Sequence, residues 1–474
     1  MHILAELTPL DPVGGSRVTL RASSTDDRNV NGLNSVIWWP AISQKPIISI
    51  DLFDGSFESA INVASASFTL LIDKLVKLDA NARRFVWAGA GVKLYAGNSG
   101  DAWPWTQVFE GKIDKFEAQA NAIKVTANVN TSSFDAKVLT LTYAGTGLAE
   151  GDADLKGKVK PWVFGAAKNV EPVLINAVNS VYQFSGYGVI KDVVTLYERG
   201  SAFTASVGDY ATYALLVAAT ISPGKWGTCK AEGLVRLGAP AYGVITGDIE
   251  GDYNGSTFRR LTGAILTRIA THLGISSSLD SASLTAHDAA APYNTNIVIS
   301  EQTTFLELAR DMALQCNAQT GVSWLGLLFI MRVTLSSPTI TLDAQGRRLP
   351  AVTNVIENDV SPPFSRIEML ADRSWRVHSP DEIAPYAIEE ERGLYGSGTV
   401  YREGNIVNLA DGSRYKYKAV APASGNIPPN VTYWTELTPY QHEALADVTA
   451  VASGPAAATL NRNSDGTLKT GALP

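Results

Sequence analysis

The chain has 474 residues, 45% hydrophobic and 18% charged, with a net charge of −7 and a pI near 5.4. This length predicts three or four domains, and the composition gives no reason to invoke disorder. The acidic balance argues against a nucleic-acid-binding site, which needs a basic footprint, and the best apolar run, Ala214 to Ile221, cannot span a bilayer.

The opening MHILAELTPLDP has no basic n-region and no long apolar core, so no secretory signal is expected. Residues 1–150 read as a β-rich first domain. Ile47 to Phe53, Ala66 to Ile72, Val92 to Tyr95, Val108 to Phe116 and Ile123 to Val129 are short runs rich in β-branched and aromatic residues. Asp54-Gly55 and Asn98-Ser99-Gly100 punctuate them. The alternation Ile123, Val125, Ala127, Val129 predicts a strand with one buried face. Gly111 predicts a bulge or sharp bend, as where a strand closes a small barrel. The polar, Gly/Pro-containing GDADLKGKVKPWVFG near residue 150 marks a boundary. Residues 151–250 then read as a β-rich inserted domain, with strands at Pro172 to Ile175, Val189 to Glu198 and Tyr213 to Ala218.

Helices become convincing in the α+β stretch 251–380, beginning near Ser256. Apolar residues recur at Phe258, Leu261, Ile265, Leu266, Ile269 and Leu273, with Gly274 where a C′ glycine belongs. Thr304-Phe305-Leu306-Glu307 is a capping-box pattern, followed by a stripe of Phe305, Leu308, Ala309, Met312 and Cys316. Trp324 to Val333, Thr339 to Leu342 and parts of Arg366 to Val377, after Pro362-Pro363, read as strands. Residues 385–438 read as a small all-β domain. Two runs, Asn405 to Leu409 and Arg414 to Val420, flank Asp411-Gly412, the mark of a hairpin. Gly425, Pro428 and Pro429 then deliver Tyr433 and Trp434. Residues 439–474 are Ala/Thr/Ser/Gly-rich and read as a linker or connector.

Chemistry-bearing patterns are sparse. No G-x-S-x-G elbow, Walker A loop, H-E-x-x-H pair or paired C-x-x-C occurs, so no catalytic residue and no cofactor is expected. The five histidines, at 2, 272, 287, 378 and 442, lack metal-ligand spacing, so no metal site is expected. Glu250, Asp252 and Asn254 imitate the start of a calcium loop, but Leu261 stands where the bidentate glutamate belongs; an acidic turn before the helix is the better reading. Asp152 and Asp154 read as solvated turn residues. Glu389-Glu390-Glu391 reads as a solvated charge run, since adjacent carboxylates on one segment rarely face each other across a gap of ~5–9 Å. Cys229 and Cys316 could form one disulfide; two buried thiols is the favoured reading. Trp38-Trp39-Pro40 and Trp103-Pro104-Trp105 make Trp38, Trp39, Trp103 and Trp105 candidate interface or barrel-core aromatics, with glycan platforms as the less favoured alternative. Tyr415, Tyr417, Tyr433 and Trp434 are the candidate carbohydrate-binding residues; Tyr415 and Tyr417 share a strand face, so both are core or both are displayed.

Tyr401, Gly404, Val407, Gly412, Tyr415 or Tyr417, Pro428 and Trp434 fall where the small chitin- and cellulose-binding modules have their pattern, and the segment resembles that family. The family stacks sugar on an aromatic pair just after the second strand; here those positions read Ala419-Val420-Ala421-Pro422. A second resemblance covers roughly half the chain. FEGKIDKFEAQANAIKVTANV (109–129), TTFLELARDMALQCNAQTGVSWLGLLFIMRV (303–333) and SPPFSRIEMLADRSWRVHSPDEIA (361–384) resemble the hub proteins of bacteriophage tail tips. The run 157–204 is similar to a segment of tail proteins of long-tailed phages. The resemblance implies a mainly β, multidomain fold of β-barrel or β-sandwich hub-like domains with a smaller α+β part. It implies a non-enzymatic virion protein, assembled in the host cytoplasm as a homotrimeric ring that closes the tail tube. Its partners would be other tail proteins, such as the distal tail ring and fibres, and a host cell-surface glycan. The competing reading is a secreted polysaccharide-active or polysaccharide-binding protein with a C-terminal glycan module.

Overall fold

A computed structural model describes residues 2–25, 36–50, 62–98, 100–118, 121–204, 206–332, 373–379, 382–383, 390–419 and 423–437. Among these, twenty-five strands and five α-helices form several sheets, a mainly β, multidomain chain. The turn Asp54-Gly55, the strand at Thr339 to Leu342, Pro362-Pro363, most of 361–384, Glu389, positions 420–422 and the connector 439–474 lie outside the described residues.

The N-terminal strands are β1 (His2–Leu10), β2 (Leu20–Ser23), β3 (Ile42–Ser49), β4 (Asn62–Val63), β5 (Ser65–Leu71), β6 (Val86–Gly97), β7 (Thr106–Ala118) and β8 (Ala122–Asn128), with the short helix α1 (Ile72–Leu78). Seven of the strands make an antiparallel sheet in the order β2-β1-β6-β7-β8-β5-β3. Residues leading into β3 join the ends of this sheet. The Trp39 N–H donates to the Arg21 carbonyl at 3.0 Å and the Trp39 carbonyl accepts from Ser23, while the Ala41 carbonyl accepts from Leu71 at 2.7 Å. One short stretch therefore pairs with β2 on one side and β5 on the other, which curls the sheet into a barrel. Period-two alternation puts Ala66, Phe68 and Leu70 of β5 and Ile123, Val125 and Ala127 of β8 inside. Gly111 is not at a register shift: it pairs with Val92 in regular ladder. It is needed because a Cβ there would lie 2.4 Å from the Asn128 carbonyl oxygen. The bend expected at Gly111 is instead a close backbone approach, and the register shifts of β7 fall between Gln107 and Phe109, opposite Tyr95 and Leu94 of β6, and between Ile113 and Lys115.

The next block carries β9 (Trp162–Phe164), β10 (Ala166–Val170), β11 (Val173–Asn176), β12 (Val181–Gln183), β13 (Ile190–Glu198), β14 (Ser201–Ala202), β15 (Ser206–Asp209), α2 (Tyr213–Ala218), β16 (Trp226–Cys229), β17 (Leu234–Leu237) and β18 (Ile245–Asp252). Two sheets run β10-β18-β13-β14 and β11-β12-β17-β16-β15. The compact unit begins at Leu141 rather than near residue 150. The reason is packing: Tyr143 and Leu155 are buried with Ile175, Val181 and Leu234, so the Gly-rich stretch between them belongs to this core. Tyr213 to Ala218 is a helix, not the strand its apolar run suggests. Thr212 caps it, its hydroxyl accepting from the Leu215 N–H at 3.3 Å. Six residues are too few for a helical period to show in sequence. Glu250 and Asp252 likewise sit on strand β18, not in a turn before a helix. Asp252 is buried and accepts from the Trp162 indole N–H at 3.1 Å; Glu250 pairs with Lys191 at 2.8 Å.

Helices α3 (Thr262–Leu273), α4 (Ser281–Ala290) and α5 (Phe305–Gln315) follow, with β19 (Ile297–Ile299), which pairs with β9 of the preceding block, and the hairpin β20 (Ala318–Val322) and β21 (Leu328–Arg332). Helix α3 begins four residues later than its apolar stripe, because Phe258 is drawn into a bridge with Tyr253 and the Arg260 carbonyl accepts from Thr295. Gly274 ends it in the left-handed conformation at φ 72°. Both arms of the Thr304–Glu307 capping box on α5 are made. Helix α4 has no apolar stripe; only Leu284 and His287 are buried on it, and Asp280 caps it through Ala282 and Ser283. The three helices and the hairpin belong to the same compact unit as the barrel, whose residues are Met1–Thr140, Arg259–Thr295 and Glu301–Pro338.

The C-terminal strands β22 (Glu390–Leu394), β23 (Asn405–Asn408), β24 (Arg414–Tyr417) and β25 (Trp434–Leu437) form one sheet in chain order, the first pair parallel and the others antiparallel. The β23–β24 hairpin turns at Asp411-Gly412 as expected, with Gly412 at φ 87° and the Asp411 carboxylate accepting from Ser413.

Candidate functional site

The eight aromatic residues singled out from sequence fall into two clusters. In the barrel, Trp38 is fully buried and Trp105 nearly so, packed with Leu4; Trp103 lies half-buried against Trp38 and Tyr95, with ring centroids 5.9 and 4.9 Å away. The Trp105 indole donates to the Asp101 carbonyl at 3.2 Å, whereas the Trp38 indole N–H is buried with no hydrogen-bond partner among the described residues. A residue without exposed surface cannot bury more against a partner. Trp38 and Trp105 are therefore barrel core and not interface anchors; Trp39 and Trp103, half-buried, keep some surface.

In the C-terminal sheet, Tyr417 is 0% exposed, Trp434 2% and Tyr415 6%, and they enclose a core with Tyr401 and Val407. Trp434 lies edge-on to Tyr417 and Tyr401, with centroids 5.0 and 5.2 Å apart, and its indole N–H donates to the Asn426 carbonyl at 2.7 Å. Sugar stacking needs an open ring face. Tyr415, Tyr417 and Trp434 offer none, so the candidate sugar contact at these positions is corrected to core packing, and half-buried Tyr433 packs on the same core.

Among the described residues no three His, Cys, Asp or Glu side chains converge to hold a metal ion. Both cysteines are free thiols; burial pushes the Cys229 thiol up to about 11, and Cys316 is half-buried with its sulfur 3.3 Å from the Thr262 hydroxyl. His287 is buried on α4, and burial lowers its pKa. Residues 373–379 and 382–383 contact the 141–258 block: the Asn169 side-chain amide donates to Ser374 at 3.1 Å and to the Arg376 carbonyl, and Arg376 bridges Glu171 and Glu382. The Glu382 carboxyl is held below the usual carboxylate range, chiefly by the Ser379 N–H it accepts from.

One concave feature of this block is an open groove of about 580 Å³. Val193, Leu196, Phe203 and Trp226 supply its apolar lining, all part of or packed on one hydrophobic core. Asp192, Asp209 and Lys230 carry its charge: the Lys230 ammonium lies 3.0 Å from Asp192, and Asp209 accepts from the Thr228 hydroxyl at 2.7 Å and the Lys230 N–H at 2.9 Å.

No family model and no curated protein matches the chain. Among solved structures, a chain from the virion of a native gene transfer agent particle is similar at 12% identity and a TM-score of 0.20, over 58% of this chain and 85% of that one. The 43 kDa tail protein of prophage MuSo2 from Shewanella oneidensis is similar at 9% identity and a TM-score of 0.24, over 72% of this chain and 58% of that one.

Sequence reasoning missed the groove. Its lining comes from β13, the stretch after β14, β15 and β16, none of which carries a motif; Gly208-Asp209, a turn pattern in sequence, ends strand β15.

Proposed function

We propose that this chain is a structural protein of a bacteriophage tail, forming the tail-tip hub as a closed homotrimer that meets the distal tail ring and fibre proteins. The observation that carries the reading is the reunion of the barrel with the helices and hairpin across an intervening block. β20 pairs in parallel with β4, Gly321 opposite Asn62 and Val322 opposite Val63, and the Glu110 N–H donates to the Trp324 carbonyl at 2.8 Å. Two of the runs that resemble tail-tip hubs, 109–129 and 303–333, thus meet in one compact unit. A barrel has few open sheet edges, so copies can stand side by side without runaway strand pairing. Exposed apolar residues such as Phe116 and Val86 give neighbouring copies surface to bury, and obligate interfaces of this kind commonly exceed ~2,000 Å². No hydrolytic step belongs to this role. With its aromatics in the core, the C-terminal sheet serves as a spacer or protein-docking unit.

Mass measurement and electron microscopy of the full chain test this. Three-fold rings are expected from the isolated protein, and antibody label at the distal end of purified tails. Monomers alone, both in isolation and in the particle, would sink it.

A further inference from the structure

We propose that helix α4 is an acid-released latch over the outer edge of β21, and that His287 is the side chain that releases it. β21 ends the sheet β21-β20-β4, with β20 on one side. On the other side the segment that leads into α4 covers it. Leu279 forms a parallel bridge with Leu328, the Asp280 N–H donates to the Leu328 carbonyl at 2.9 Å, and the Ile330 N–H donates to the Ser283 hydroxyl at 3.3 Å. At the far end of the helix, Arg332 donates to the Ala290 carbonyl at 3.0 Å. A helix laid over a strand edge blocks pairing with another chain, so whatever lifts α4 bares that edge.

The helix has a small buried face to hold it there. Leu284 and His287 are its buried residues, three positions apart on one side. Toward α3, a Cβ at Gly263 would lie 2.7 Å from the Leu284 carbonyl oxygen, and the Gly263 and Ala264 N–H groups donate to the Asp288 carboxylate at 2.7 and 2.9 Å. His287 is 3% exposed, and neither ring nitrogen has a hydrogen-bond partner among the described residues. A neutral imidazole can fill such a place as a core ring. An imidazolium, with a charge and two donors to satisfy, is expelled from it.

The surrounding charges do not rescue the protonated form. β21 brings Arg332, whose like charge opposes an imidazolium. Asp288, beside it on α4, favours one, but both its oxygens are engaged at the start of α3. α3 carries Arg268 and His272 in its second half, with His272 bonded to Thr140 at 2.7 Å, and Asp280 is engaged as the α4 cap. Burial is the largest influence, and it lowers the His287 pKa. With α4 open the ring takes a proton near the ordinary ~6.5; with α4 closed it does so only at lower pH. The latch is therefore at full strength above ~6.5 and weakens as pH falls toward the lowered value, by at most about tenfold per pH unit for one proton. The inference is independent of the tail-hub role, since it rests on the packing of one helix within one compact unit.

Hydrogen exchange of the full chain between pH 7.5 and 5.5, corrected for the intrinsic rate at each pH, tests it. Opening of residues 281–290 and 328–332 is expected to rise about threefold or more over that range, while β5–β8 stay unchanged. His287→Phe, which keeps a ring without the titrating group, should remove the rise, as should the smaller His287→Leu; His272→Gln should keep it. Exchange of the histidine C2 hydrogen, read by mass spectrometry on the unsubstituted chain, follows the His287 titration directly and needs no variant to fold. Its midpoint is expected below ~6.5. A smaller rise, the same rise in the His287 variants, its loss in His272→Gln, a rise shared by β5–β8, or a His287 midpoint at or above that value would each overturn the proposal.

Discussion

The barrel and the C-terminal sheet each bury an aromatic cluster, yet the clusters do different work. In the barrel, Trp38, Trp103 and Trp105 occupy one part of an interior that also holds Phe68, Phe109 and many aliphatic residues such as Leu70, Val92, Leu94 and Val125. In the C-terminal sheet, Tyr401, Tyr415, Tyr417 and Trp434, with Val407, are the buried cluster itself. A small unit has little surface to hide, so aromatics of large area must supply its stability. The same residue type is thus filler in one region and the core in the other. Polar satisfaction differs too: among the described residues the Trp434 indole has a carbonyl partner and the Trp38 indole has none.

The largest expected effect is at Trp434. Trp434→Ala should cost ~3–5 kcal/mol. Hydrogen exchange should then show loss of protection over β22–β25 while β5–β8 stay protected. Uniform loss across both regions would erase the comparison. Next comes the barrel's tightest backbone contact. Gly111→Ala would force a methyl against the Asn128 carbonyl, and overpacking of this kind costs ~1–3 kcal/mol; the barrel transition should fall and the C-terminal one should not, as read by the same exchange experiment.

A paired substitution sharpens the difference further. Trp434→Phe removes the hydrogen bond to the Asn426 carbonyl, a net loss of ~0.5–1.5 kcal/mol beyond lost packing. Trp38→Phe removes an indole N–H that has no partner among the described residues, so its cost should be smaller by about that amount in denaturant melts. Equal costs would mean that the two indoles are equivalent. The smallest expected effect is chemical. The Cys229 thiol, raised by burial to about 11, stays protonated at pH 8, so iodoacetamide should label half-buried Cys316 first and reach Cys229 only on unfolding. Mass spectrometry of partly labelled protein reads the order.

Local signals told much of this in advance. The alternation Ile123–Val129 gave a strand with its inner face, Thr304–Glu307 gave a helix start, Gly274 gave a helix end and Asp411-Gly412 gave a hairpin, because each is decided within a few residues by pleat, cap or turn geometry. Strand β6 was legible only from Val92 to Tyr95, since Ala88-Gly89-Ala90-Gly91 has weak strand preference and is held in place by its neighbours β1 and β7. Helix α4 was not legible, because its ten residues carry no apolar stripe.

The candidate sites divide along the same line. Sequence by itself determined which positions are aromatic and that Tyr415 and Tyr417 share a face. It could not say which side of the sheet is solvent, because period-two alternation is symmetric until other segments cover one face. Tertiary structure decided that, when Tyr401 and Trp434 from distant positions closed over β24. It also brought β20 back to β4, and set β13 and β15 along one groove. Those outcomes depend on pairings between residues far apart in the chain, which no local pattern encodes.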